Sequence, residues 1–248
     1  MTAGNIKLVL RYDGTEFAGW QYQPRQRTVQ GELQAAIRKL TGKTVTLYAA
    51  GRTDAGVHAL GQVVNFTTDS PLPVKKYRDG LNFYLPDDIL VHTAEEAPES
   101  FHARYGAIYR HYRYLIDSDR SPLHRKRRWE VGHELDLGAL KAAADHIRGE
   151  HDFSTFCVVS SRLKDNRCLV YESCWRAEDA LWTYEIIGNR FLHTMVRSLV
   201  GLMIEVGRGA LTMRQFKSIF VSGDHTAVTH VAPARGLCLV AVGYEKEP

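Results

Sequence analysis

Apolar and polar side chains alternate along Ile6-Lys7-Leu8-Val9-Leu10-Arg11, and this period of two predicts a strand. From Thr28 to Leu40 the period lengthens. Val29, Leu33, Ala36, Ile37 and Leu40 form one helical stripe, and Gly42 stands where a helix can end. Val45 to Ala50 and Gln62 to Thr67 read as two more strands. Pro71, Pro73, Pro86 and Pro98 then punctuate the chain. A similar succession starts again with a strand from Ile108 to Ile116. Asp136 can cap a helix carrying Leu137, Leu140, Ala143, Ala144 and Ile147, with Gly149 at its end. Leu169 to Arg176 and Trp182 to Ile187 form a strand pair around Glu178-Asp179. Phe191 to Val206 reads as a long helix, and Leu237 to Tyr244 as a last strand.

Two halves that each open strand–loop–helix–strand predict two α+β domains of similar plan. We place them at residues 1–104 and 105–248. Residue identity between the halves is too weak to demonstrate a duplication.

Composition narrows the picture. A chain of 248 residues that is 44% hydrophobic can bury a real core. The net charge of +4 permits nucleic-acid binding without showing it. Its distribution says more: from Arg104 to Arg128 there are eight Lys or Arg residues against two Asp. Arg125-Lys126-Arg127-Arg128 follow Ser121-Pro122 in a loop. Tyr105, Tyr109, Tyr112 and Tyr114 interleave with the arginines, so phosphate partners alternate with stacking faces. The cysteines at 157, 168, 174 and 238 include no Cys-x-x-Cys pair, so no zinc site is expected. Their scatter fits a reducing compartment. No apolar run approaches a membrane span and no signal-peptide core is seen. The expectation is a soluble cytoplasmic protein.

The most informative run is Gly51-Arg52-Thr53-Asp54-Ala55-Gly56-Val57-His58. It places an acid and a base two positions apart, between glycines, just after a predicted strand. In extended backbone, side chains at that spacing share a face. An ordinary turn containing Asp is the plain alternative. The full stretch resembles the Gly-Arg-Thr-Asp-x-Gly-Val-His signature of the TruA family of transfer-RNA pseudouridine synthases. Five further blocks carry the resemblance along nearly the whole chain. They are Tyr12-Asp13-Gly14-Thr15-Glu16-Phe17-Ala18-Gly19-Trp20-Gln21-x-Gln23, Tyr109-Arg110-His111-Tyr112-Arg113-Tyr114, Gly149-x-His151-Asp152-Phe153-Ser154-x-Phe156, Asn189-Arg190-Phe191-Leu192-His193-x-Met195-Val196-Arg197 and Ala232-Pro233-Ala234-Arg235-Gly236-Leu237.

The resemblance implies two α+β domains with mainly antiparallel sheets side by side and a central cleft. It implies isomerisation of uridine to pseudouridine at positions 38, 39 and 40 of tRNA, in a homodimer. No redox step or energy donor is needed, so no metal or cofactor is expected. Asp54 is then the catalytic residue, and it could attack the ribose C1′, attack C6 of the base, or act as a base toward a glycal. A carboxylate kept ionised away from water needs a cation beside it, and the resemblance assigns that part to Arg197. Arg52 is expected to position the flipped-out base, Tyr112 to stack on it, and Leu237 to wall the uracil pocket. His58 is expected only to brace the loop; no proton transfer is assigned to it. Arg110, Arg125, Lys126 and Arg127 are expected on RNA, as is the loop from Asp13 to Gln23. Two rivals stand beside this. A non-catalytic RNA-binding protein would use the same basic and aromatic residues, and a nucleoside hydrolase would use a carboxylate pair.

Overall fold

In the computed structural model, residues 4–162 and 164–245 are described, and they form two compact units. The first comprises residues 4–108 with 239–245, the second 109–238.

The first unit is a sheet with two helices. Its strands are β1 (Gly4–Tyr12), β2 (Tyr48–Ala49), β3 (His58–Thr68) and β4 (Ile89–Ala97), and its helices are α1 (Val29–Thr41) and α2 (Lys75–Tyr84). β1 lies between β4 and β3, antiparallel to both, and β2 pairs antiparallel to β3. The alternation in β1 buries Ile6, Leu8, Leu10 and Tyr12 on one face. Thr28 caps α1 by accepting from the Gly31 N–H, and Gly42 ends it at φ 71°. Val29, Leu33, Ala36 and Ile37 are buried as the stripe predicts. Phe66 of β3 meets Tyr77 of α2 with ring centroids 5.9 Å apart.

The second unit holds β5 (Tyr109–Asp117), β6 (Trp129–Glu130), α3 (Leu137–Ile147), β7 (Gly149–Asp152), β8 (Arg167–Glu178), β9 (Leu181–Gly188), α4 (Met195–Gly207) and α5 (Met213–Phe220). The strand order is β5-β9-β8-β7, antiparallel throughout, with the short β6 parallel to β5. Asp136 caps α3, accepting from the N–H groups of Gly138 and Ala139. Trp175, Tyr184 and Tyr114 are fully buried across β8, β9 and β5. The final strand β10 (Leu237–Gly243) begins in this unit, and its residues 239–243 join β3 in the first.

The pattern alone does not announce five elements: α2, β4, β6, β7 and α5. α2 buries only Tyr77 and Leu81 and has no side-chain cap. β4 is an edge strand whose Leu90, His92, Thr93, Glu95 and Glu96 are exposed. α5 is a short helix with a capping box between Thr212 and Gln215. One helix starts later than its periodicity suggests: Thr194 adopts φ 64°, so α4 begins at Met195 and not at Phe191. α4 is also buried nearly all round, including Ser198, Gly201, Leu202 and Ile204.

Candidate active site

In the first unit the Asp54 loop joins β2 to β3. The Val57 N–H donates to the Asp54 carbonyl at 3.1 Å, closing a turn whose third position is Gly56 at φ 79°. That position of the turn calls for a residue tolerant of positive φ. Before the turn, the Gly51 carbonyl accepts from Gln62 Nε2 at 2.8 Å. Thr53 is anchored by its Oγ1, 2.8 Å from the Tyr12 hydroxyl in the core. Asp54 itself is half-buried, and Arg52 and Ala55 are exposed.

The loop after β1 straps this turn down. The Trp20 N–H donates to the Thr53 carbonyl at 3.0 Å, and the Gly56 N–H to the Phe17 carbonyl at 3.3 Å. The two backbones run so close that only glycine fits. A Cβ on Gly14 would lie 2.0 Å from the Val57 carbonyl oxygen, and one on Gly19 would lie 2.9 Å from that of Thr53. His58 fastens the start of the strap, its Nδ1 accepting from the Gly14 N–H at 3.1 Å. Asp13 Oδ1 sits 3.2 Å from the same nitrogen and accepts from the Thr15 N–H and hydroxyl. Arg27 braces the strap from behind. It forms a bidentate pair with Asp88 at 2.7 and 2.8 Å, and its guanidinium lies 4.2 Å from the Phe17 ring centroid. Much of the loop from Asp13 to Trp20 is therefore committed to holding Asp54, while Glu16, Tyr22 and Arg25 face outward.

In the second unit, β5 turns Arg110, Tyr112, Tyr114 and Ile116 to its buried face. Tyr112 is 8% exposed and meets the edge of Phe191 at 5.3 Å. Tyr114 donates to the Pro233 carbonyl at 2.7 Å. Burial pushes its phenol far above the ordinary range, against the pull of Arg197 and Arg235, so it stays protonated. Gly236 lies against this ring: a Cβ there would be 2.5 Å from Tyr114 Cζ. Leu237 follows directly and is buried.

Arg197 is half-buried on α4 and grips a neighbouring segment. Its Nε donates to the Ala232 carbonyl at 2.9 Å, and the Ala232 N–H donates to the Arg197 carbonyl at 3.1 Å. Gly201, one turn on, lets that segment approach, since a Cβ there would be 2.0 Å from the His230 carbonyl oxygen. The small residues around Arg197 thus admit the chain's own segment 230–232. The partner that His58 braces, Gly14, and the clamp at Ala232 were not derivable from spacing; the glycines at 14, 19, 201 and 236 marked the close approaches.

The basic segment divides on folding. Arg125, Lys126 and Arg127 are exposed in a loop of turns, whereas Arg128 swings inward to the buried Asp117 at 2.8 Å. Arg110 is 9% exposed, with Nη1 on the Asn189 carbonyl at 2.7 Å. It is the least accessible of the four residues expected on RNA. On the opposite face of β5, His111 and Arg113 converge on Glu185 of β9, Arg113 at 2.6 Å. Burial opposes ionisation of this carboxyl, but the two partners outweigh it and hold the pKa below the usual range.

Among the described residues, no three His, Cys, Asp or Glu side chains come together as a metal site. No helix among them is long and apolar enough to cross a membrane.

A family model described as tRNA pseudouridine synthase matches residues 8–106 and 143–245, which take in the Asp54 loop, its strap, Arg197 and Leu237. The chain is 42% identical over 242 residues to tRNA pseudouridine synthase A of Acetivibrio thermocellus, covering 97% of this chain and 99% of that protein. It is 41% identical over 242 residues to the protein of the same name from Brevibacillus brevis, covering 96% and 99%. With Citrifermentans bemidjiense the figures are 41% over 246 residues, covering 98% of each. A mixed α/β fold with mainly antiparallel sheets, a strapped Asp loop and near full-length likeness converge on one conclusion: the chain belongs to the tRNA pseudouridine synthase family, a family of isomerases.

Proposed function

We propose that this chain isomerises uridine to pseudouridine in tRNA, at positions 38, 39 and 40 of the anticodon arm, with Asp54 as nucleophile or base. Family membership carries the coarser part, uridine isomerisation in tRNA. The role of Asp54 is supported by one observation: the turn is held on both sides, at Thr53 and Gly56, by backbone hydrogen bonds to a single strap; the positions in tRNA rest on the family resemblance alone. A carboxylate held in that way is positioned before substrate arrives, which is the condition for proximity to lower a barrier.

The reaction breaks the bond between N1 and C1′, turns the base and joins C5 to C1′. The proton leaves C5 and N1 gains one, so mass is unchanged. Asp54 either attacks C1′ or C6, or removes a ribose proton toward a glycal. In this proposal Arg52, exposed two residues earlier, holds the phosphate or base of the extruded nucleotide. Tyr112 stacks on the base, Leu237 walls it, and Arg197 supplies the cation that keeps Asp54 ionised. The outward Arg125, Lys126 and Arg127 meet phosphates. Extruding a paired nucleotide costs a few kcal/mol, and a loop or stem end is where that cost is lowest. The proposal includes a homodimer in the cytoplasm and needs neither metal nor cofactor.

The test is tritium release from C5-labelled uridine in unmodified tRNA. The wild-type chain should release tritium, with or without EDTA, and Asp54→Asn should not. Persistence of release in Asp54→Asn overturns the role of this residue. Pseudouridine mapping on the product checks the positions, and free uracil in the supernatant would instead indicate hydrolysis.

A further inference from the structure

The interleaved tyrosines of the basic segment do not stay together. Tyr112 and Tyr114 are buried in β5, but Tyr105 projects from the first unit, 78% exposed. It takes part in a run of three rings from two separate stretches of chain. Tyr48 of β2, 43% exposed, lies 4.7 Å from His102, and His102 lies 4.5 Å from Tyr105, centroid to centroid. The exposed Arg104 guanidinium lies 5.7 Å from the Tyr105 ring centroid.

The run is rigidly mounted. The N–H groups of Arg104 and Tyr105 both donate to His102 Nδ1, at 3.1 and 3.3 Å, so the middle ring is the hub of the turn. The Gly106 N–H donates to the His102 carbonyl at 2.9 Å. Below it, Ala103 is fully buried between the Asn65 side chain, which accepts from its N–H at 2.9 Å, and the Tyr244 hydroxyl, which donates to its carbonyl at 2.7 Å. Asn5 ties the Phe101 carbonyl at 3.0 Å. Rings held in place before binding lose little freedom when a partner stacks on them.

We propose that Tyr48, His102 and Tyr105 form a stacking platform for a nucleobase of the RNA substrate, distinct from the reacting uridine, with Arg104 contacting the adjoining phosphate. The inference rests on the proposed function for its choice of RNA. Aromatic rings with an arginine over one of them suit single-stranded or loop nucleotides, because every base offers a π-face and every linkage a negative charge.

The experiment uses the full chain with Tyr105→Ala and Tyr105→Trp. Three quantities are read: Kd for an unmodified tRNA transcript at fixed ionic strength, initial-rate kinetics on it, and molar mass by light scattering. Loss of one base–aromatic stack should weaken Kd and raise KM about tenfold for Tyr105→Ala. kcat should stay within about twofold of wild type, since binding common to ground and transition states moves KM alone. Tyr105→Trp should restore both Kd and KM. An unchanged Kd in Tyr105→Ala, or an equal loss in Tyr105→Trp, overturns the platform. So does a fall in molar mass with Tyr105→Ala, which would assign the rings to a contact between copies. Wild-type turnover in the same assay tests the proposed function separately, and Kd tests the platform even where turnover is absent.

Discussion

His58 offers a direct way to ask whether the strap positions the Asp54 turn. Its Nδ1 accepts from the buried Gly14 N–H, and the strap that starts there ends on Thr53 and Gly56, the residues flanking Asp54. His58→Ala leaves that N–H without an acceptor, at a cost of about 1–3 kcal/mol. To recover a partner the strap must shift, toward water or toward the nearby Asp13 carboxylate, which drags the Trp20 and Phe17 contacts with it. A displacement of about 1 Å at a reacting group can cost about 100-fold in rate. We therefore expect kcat for tritium release to fall about 100-fold in His58→Ala, with KM changed less than about threefold. Asn carries an oxygen close to the place of Nδ1, whereas Gln reaches toward that of Nε2. His58→Asn should recover to within about tenfold of wild type, and His58→Gln should resemble His58→Ala. A normal kcat in His58→Ala would refute the positioning argument. Better activity in His58→Gln than in His58→Asn would also refute it, and would move attention to Nε2.

Three further outcomes follow from the same geometry. Gly14→Ala puts a Cβ 2.0 Å from a backbone oxygen, so activity should fall more than about 100-fold while far-ultraviolet dichroism is unchanged; near-normal activity would show that the two loops can part harmlessly. The depressed pKa of Glu185 means its stabilising contribution is complete above the ordinary carboxyl range near pH 4 and is lost as pH falls through the lower folded value. Urea midpoints should thus fall more steeply from about pH 5 to 3 in wild type than in Glu185→Gln, and parallel profiles would remove this pair from the acid limb. Burial lowers the pKa of His146, helped by Lys217 and His151, among the rings of Phe216 and Phe220. Its neutral form supports the fold above about pH 6.5, and that support is lost as pH falls through the lower folded value. His146→Phe should flatten the decline in melting temperature from about pH 6.5 to 5, and an unaltered slope would contradict it.

How much was legible depended on whether a signal was local. β1, α1, α3 and the β8–β9 pair could be read because period, cap and turn residue all lie within a few positions of one another. Thr28 and Asp136 each cap the helix that follows within the same short stretch of chain. The Asp54 turn was legible for the same reason, since Gly56 supplies the positive φ that the turn needs. α2, β4 and α5 were not, because each buries only two side chains and so shows little periodicity.

The sequence by itself determined the motif and the kind of most elements. Tertiary structure alone decided which residues work together. It paired Gly14 with His58 across 44 residues and the Ala232 segment with Arg197 across 35. It also turned Arg128 inward to Asp117, away from its three outward neighbours, and brought Tyr48 to His102 and Tyr105. Periodicity reports which face of an element is apolar. It carries no information about which distant backbone will come within van der Waals reach, and that closeness is what the glycines at 14, 19, 201 and 236 permit.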